Sequence, residues 1–159
     1  MNFDKAFNKL MENEGGYSNN PNDPGSETMY GITIKVAREN NYTGPMKDLP
    51  RDAAKAIYKK QYWDTVRADE LPDEVRFDVF DAAVNSGVQQ SIKWLQRVLG
   101  VKEDGVLGAV TLVSAAQAKG LSAKFNGYRL RFMTDLPTWP TFGKGWARRV
   151  AENLTRLEA

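Results

Sequence analysis

Phe3-Asp4-Lys5-Ala6-Phe7-Asn8-Lys9-Leu10-Met11-Glu12-Asn13-Glu14-Gly15-Gly16-Tyr17 and, ten residues on, Thr28-Met29-Tyr30-Gly31-Ile32-Thr33 decide how this chain folds. Phe3, Phe7, Leu10 and Met11 recur at i, i+4, i+7 and i+8, which is one apolar face of an α-helix. Gly15-Gly16 supplies its stop, because glycine enters the left-handed C′ conformation without a Cβ clash. Between the two stretches, Asn20-Pro21 and Asp23-Pro24-Gly25 bar any regular element. Within the second stretch, Met29-Tyr30-Gly31-Ile32-Thr33 is short and rich in β-formers and reads as one strand of a small hairpin.

Onward the hydrophobic period is helical. Ile34 to Asn40 forms a short helix. Pro50 suits the first turn of the next, with Ala53, Ala54, Ile57, Tyr58 and Gln61 at helical spacing. After Pro72, Val75, Phe77, Val79, Phe80, Ala82, Ala83 and Val84 cover most of the circumference, which predicts a central, buried helix. Ile92, Leu95, Val98 and Leu99 form a stripe closed by Gly100. Ala109 to Lys119 ends at Gly120, and Ser122 is placed to cap a helix through Met133. Trp146, Val150, Leu154 and Leu157 mark a last one. The fold class is mainly α with one small β-hairpin.

The 159 residues suit one domain, or a domain with a small dependent module. No His and no Cys occur, which excludes thiol nucleophiles, Ser-His-Asp triads, His or Cys zinc sites and disulfides. Carboxylates, Lys and Tyr remain as titratable groups, and carboxylates are the usual acid/base pair of glycoside hydrolysis. Charge is uneven: residues 1–75 carry −3 and residues 76–159 carry +5. The basic half fits either an anionic polymer or an ordinary solvated surface. In it, Arg129-Arg131 and Arg148-Arg149 are the candidate contacts. The first 14 residues hold Asp4, Lys5, Lys9 and Glu12 and no apolar core, so they do not read as a signal peptide. No stretch nears a membrane span.

Glu14 is the strongest candidate for chemistry. At 100° per residue it falls about 20° from Phe3, inside the apolar stripe, whereas Glu12 falls about 180° away. A carboxylate on a buried face at a helix C-terminus is expected to hold its proton, as a general acid must. The competing reading is a frayed last turn with Glu14 in water. Glycoside cleavage needs a second group opposite the acid. Asp23 lies nine residues on, in a turn that can fold back, or else it caps that turn itself. Thr28 presents a hydroxyl able to orient a water. Tyr30, Tyr62 and Trp63 can stack on sugar faces or fill the core. Asn85, at the end of the buried helix, can donate to and accept from an N-acetyl group. It shares a stripe with Glu74, Asp78 and Asp81, whose plain reading is a solvated face. Asp104, Gly105 and Gly108 match no phosphate or calcium loop and read as a tight turn.

Glu14-Gly15-Gly16-Tyr17, Asn19-Asn20-Pro21-Asn22-Asp23-Pro24-Gly25 and Thr28-Met29-Tyr30-Gly31-Ile32-Thr33 resemble the signature of glycoside hydrolase family 108, the phage-type lysozymes. Phe80-Asp81-Ala82-Ala83-Val84-Asn85-Ser86-Gly87, Trp94-Leu95-Gln96, Leu99-Gly100-Val101, Asp104-Gly105 and Gly108 resemble that family's second part, often called a peptidoglycan-binding region. One departure is Ser26, where the family commonly has Gly. Glu14 and Asp23 also keep the first spacing of phage lysozymes, but Thr28 comes one residue early.

The resemblance implies a lysozyme-like helical fold, with a catalytic part over 1–87 and a peptidoglycan-binding part over 88–159 packed on it. It implies an N-acetylmuramidase, an endolysin cutting the β-1,4 bond between N-acetylmuramic acid and N-acetylglucosamine. Glu14 would be its catalytic residue, assisted by Asp23 and Thr28. Tyr30, Tyr62, Trp63 and Asn85 are the candidate substrate contacts. No metal or cofactor is expected, and neither is nucleic acid or an integral membrane anchor. The expected partner is peptidoglycan. The expected state is a monomer made in the host cytoplasm, released with a holin's help and acting in the periplasm. The alternatives are a lytic transglycosylase on the same bond and a non-catalytic wall-binding module.

Overall fold

The structure, a computed structural model, describes residues 1–20 and 27–156. The backbone divides into two compact units, Met1–Asp64 and Thr65–Ala159. The sequence division at 87 was drawn on motifs and falls inside the second unit. Eight α-helices and one two-stranded antiparallel sheet are present among the described residues, a mainly helical, lysozyme-like fold.

In the first unit, α1 spans Phe3–Met11, with the Asn2 side chain accepting from the Lys5 N–H at its start. It buries Ala6, Phe7 and Leu10. It ends earlier than the apolar spacing predicts. The Glu12 and Asn13 N–H groups turn back to Lys9 and Leu10 carbonyls, tightening the last turn. Neither Gly15 nor Gly16 is left-handed, so the expected glycine stop is not what ends the helix. β1 (Thr28–Met29) and β2 (Ile32–Thr33) pair Thr28 with Thr33 and Met29 with Ile32. Their two-residue loop, Tyr30-Gly31, has φ of +52° and +76°, as a type I′ turn requires. Ser18 pairs with the outer edge of Thr28. Thr33 then caps α2 (Ile34–Glu39) by accepting from the Val36 N–H at 3.2 Å.

A 3₁₀ turn over Met46–Asp48 leads to α3 (Arg51–Tyr58). Directly after Tyr58 the helix widens into a π turn over Lys59–Trp63, closed by the Asp64 N–H on the Lys59 carbonyl at 2.8 Å. Such turns re-aim side chains within a helix.

In the second unit, α4 (Asp73–Ser86) is the expected buried helix. It packs against α5 (Val88–Leu99) and α7 (Leu121–Thr134), and α7 packs against α8 (Trp139–Thr155). α6 (Ala109–Gln117) lies between α5 and α7 in sequence. Gly100 is left-handed and closes α5 as its position predicts. The Asp104-Gly105 segment is the expected tight turn. Asp104 accepts from the Val106 N–H, and Gly105 has φ of +74°. Ser122 caps no helix: α7 begins one residue earlier, and the Ser122 hydroxyl donates to buried Asp78 instead.

The stripe Asp78, Asp81 and Asn85 is not a solvated face. Asp78 and Asp81 are fully buried. Asp81 accepts from Arg129 Nη1 and Arg149 Nε, each at 2.8 Å, and from Asn153 Nδ2 at 3.0 Å. Asp78 accepts from Arg156 Nη2 at 2.9 Å and from Ser122 Oγ. Arg129 and Arg149 are therefore internal counter-ions rather than a polymer-binding surface, while Arg131 and Arg148 remain exposed. Among the described residues no helix is long and apolar enough to cross a membrane.

Candidate active site

The first unit gathers its polar chemistry around the hairpin turn. Glu14 stands three residues past the end of α1 and is half-buried. The expectation of a helix-face position is not met: Glu14 lies beyond the helix, and its partial burial comes from the hairpin. The chain leaves the helix and bends the carboxylate toward Tyr30-Gly31. The point where a Cβ on Gly31 would stand is 2.7 Å from Glu14 Oε2 and 2.6 Å from Tyr58 Oη. A side chain at residue 31 is excluded twice, by that crowding and by its positive φ.

Tyr58 comes from the last turn of α3 and is 2 % exposed. Its hydroxyl donates to the Tyr30 carbonyl at 2.7 Å. Tyr62, from the π turn, lies with its ring 5.7 Å from that of Tyr58. Burial, and then the nearby charge of Glu14, push the Tyr62 phenol above its ordinary range. Tyr30, Tyr62 and Glu14 are all half-buried, so each keeps a face to solvent. A half-buried carboxylate near a partly open aromatic ring is an arrangement that can receive a sugar and protonate it.

The predicted residues separate into three groups. Glu14 lies against the turn that Tyr30 helps form, with Tyr62 near it, and Thr28 stands in the strand leading into the same turn. Its backbone is bonded on one side to Ser18, at 2.9 and 2.8 Å, and paired on the other with Thr33. Asp23, with Ser26, lies outside the described residues. Trp63 is 0 % exposed and packs on Phe3 at 5.4 Å, so it serves the core and not a sugar. Asn85 sits in the second unit, where its side-chain carbonyl accepts from Arg129 Nη2 at 3.2 Å.

Two residues were missed. Sequence spacing places Tyr58 on the apolar face of its helix and Gly31 within a strand, with no role at the site. The signal was available: two β-rich dipeptides two residues apart demand positive φ at the loop, and Tyr58 precedes Tyr62 by one helical turn. Tyr17 adds a polar contact beside the site, donating to Glu27, whose carboxylate raises the Tyr17 phenol above its usual value. An open groove of about 490 Å³ in this unit, lined by Asn2, Phe3, Asp52 and Lys55, includes none of these residues.

The family description "Glycosyl hydrolase 108" matches residues 7–87, the segment that holds Glu14, the hairpin, Tyr58 and Tyr62. No curated protein matches the chain. A solved structure, that of Brucella abortus SagA, is similar at 35 % identity and a TM-score of 0.86, covering 98 % of this chain and 92 % of that one. With just over half of its length matched to the family and nearly all of it aligned to that relative, this protein belongs to the glycosyl hydrolase 108 family.

Proposed function

We propose that the chain is a peptidoglycan hydrolase that cleaves the β-1,4 bond between N-acetylmuramic acid and N-acetylglucosamine, with Glu14 as general acid. The observation that carries this reading is the placement of Glu14: a half-buried carboxylate against the Tyr30-Gly31 turn, near enough to Tyr62 for its charge to act on that phenol. Protonated Glu14 gives its proton to the glycosidic oxygen as the C–O bond breaks, and the bond's electron pair stays on that oxygen. Asp23, with Thr28, then steadies the positive sugar or the water that adds to it. The sugar leaves with a reducing end, and the water's second proton restores the acid.

Tyr30 and Tyr62 pack on the flat faces of the sugars. Residues 88–159 hold the glycan strand, aided by Arg131 and Arg148. The protein acts as a monomer and as an endolysin, in the periplasm after release through a holin. Mass spectrometry of digested sacculi tests the reaction. Fragments ending in reducing N-acetylmuramic acid support it. Anhydro ends indicate a transglycosylase, and binding without any cleavage indicates a wall-binding module.

A further inference from the structure

We propose that Tyr58 is a positioning residue for Glu14, acting through the Tyr30-Gly31 turn; this rests on Glu14 being the acid. A two-residue type I′ loop needs positive φ at both central positions. Gly31 adopts it freely, but Tyr30 holds φ of +52° with an aromatic side chain. Backbone of that kind persists only where its surroundings hold it. The holding group is the Tyr58 hydroxyl, which donates to the Tyr30 carbonyl at 2.7 Å.

Tyr58 is well placed to act as a fixed point. Its ring is braced by Phe7 of α1 at 5.8 Å and by Tyr62 at 5.7 Å, and it is buried. One side chain therefore ties α1, α3 and the hairpin together. Against the same turn stands the Glu14 carboxylate. Tyr58 Oη and Glu14 Oε2 converge on the empty Cβ position of Gly31, at 2.6 and 2.7 Å. Hydroxyl, turn and carboxylate leave no room for a methyl group. When the turn shifts, the surface on which the acid rests shifts with it. A proton donor displaced by even part of an ångström loses its alignment with the glycosidic oxygen.

Tyr58→Phe tests this, because it keeps the ring and both braces and deletes only the donor. The expected result, on soluble glycan oligomers cut from peptidoglycan, is a kcat lower by about 10- to 100-fold with KM within about twofold of the parent. Gly31→Ala puts a methyl group at the shared point and should lower kcat further. A Tyr58→Phe protein with lower Tm but the parent's kcat per folded molecule makes Tyr58 merely structural and overturns the proposal. A change in KM alone overturns it too, as does a fully active Gly31→Ala. Glu14→Gln, run alongside, separates the two layers. If it loses turnover while Tyr58→Phe does not, the acid stands and the positioning role falls. If it keeps turnover, the acid reading itself fails and takes the positioning role with it.

Discussion

Glu14 in the first unit and Asp81 in the second are both carboxylates held by helical scaffolds, and the fold treats them in opposite ways. Asp81 is fully buried, and two arginines and an asparagine donate to its oxygens. Burial alone would push its pKa up, but Arg129 and Arg149 outweigh it and hold the carboxyl below its ordinary value. Glu14 is only half-buried and leans on the Gly31 turn beside the Tyr58 hydroxyl. The saturated carboxylate fixes helix packing between α4, α7 and α8. The half-open one keeps a face toward solvent. Burial depth and saturation, rather than residue type, set the structural acid apart from the proposed proton donor.

That contrast has measurable consequences. Asp81→Asn leaves Arg129 and Arg149 buried without their counter-charge. It should cost about 3–5 kcal/mol, a Tm drop on the order of 10 °C, by calorimetry. The hydrolysis rate per folded molecule should change little. A small drop in Tm would mean that the ion network adjusts.

The two buried aspartates should also titrate with opposite signs. Asp81, lowered in the fold, contributes stability above its unfolded pKa, and this is lost as pH falls through its lower folded value. The parent's advantage over Asp81→Asn should therefore hold above about pH 5 and shrink toward pH 2. Asp78 is raised, because burial outweighs Arg156, Ser122 and Asn126. Its contribution is full below the unfolded pKa and is lost as pH rises through the folded one. The parent's margin over Asp78→Asn should shrink with rising pH from about pH 4 upward. Tm measured across pH for both variants checks the crossing slopes, and parallel slopes would contradict the assignment.

Within the first unit, neighbouring aromatics should part company. Tyr62→Ala should raise KM for soluble glycan by about 3- to 10-fold, the loss of one ring contact. Trp63→Phe should leave KM alone and lower Tm, since the indole is enclosed with Phe3. The smallest effect belongs to the surface charges. Arg131→Glu with Arg148→Glu should weaken sedimentation with sacculi at low salt only, because exposed charges are screened beyond roughly 8 Å at physiological ionic strength.

Local periodicity made most of this fold legible. α1, the buried α4 and the Gly100 stop of α5 follow from spacing and turn chemistry, whereas the expected strand over residues 29–33 is itself the hairpin, turning at Tyr30-Gly31. Helix ends were less legible. α1 stops at Met11 through backbone bonds to Lys9 and Leu10, which apolar spacing does not encode. The stripe of Asp78, Asp81 and Asn85 looked solvated because the arginines that neutralise it lie 44 to 78 residues away in sequence. Arg129 and Arg149 looked like surface charge for the same reason. Of the candidate residues, Glu14 and Tyr62 lie near one another in the fold, and Tyr30 sits in the turn against Glu14. Tyr58 was not legible as part of the site, because its role depends on a contact with Tyr30 across 28 residues. Trp63 faces inward because the π turn sets its direction, and no local pattern announced that turn.

The comparison between the two carboxylates comes down to Glu14→Gln, assayed for turnover and melting temperature beside Asp81→Asn. Glutamine keeps the volume and hydrogen-bonding capacity at Gly31 but cannot deliver a proton as an acid. Turnover on peptidoglycan should fall by at least ~100-fold. The melting temperature should be no lower than the parent's, because relief of strain at a reactive site tends to stabilise. Glu14→Gln that lyses cell walls at the parent's rate would contradict the account at its root.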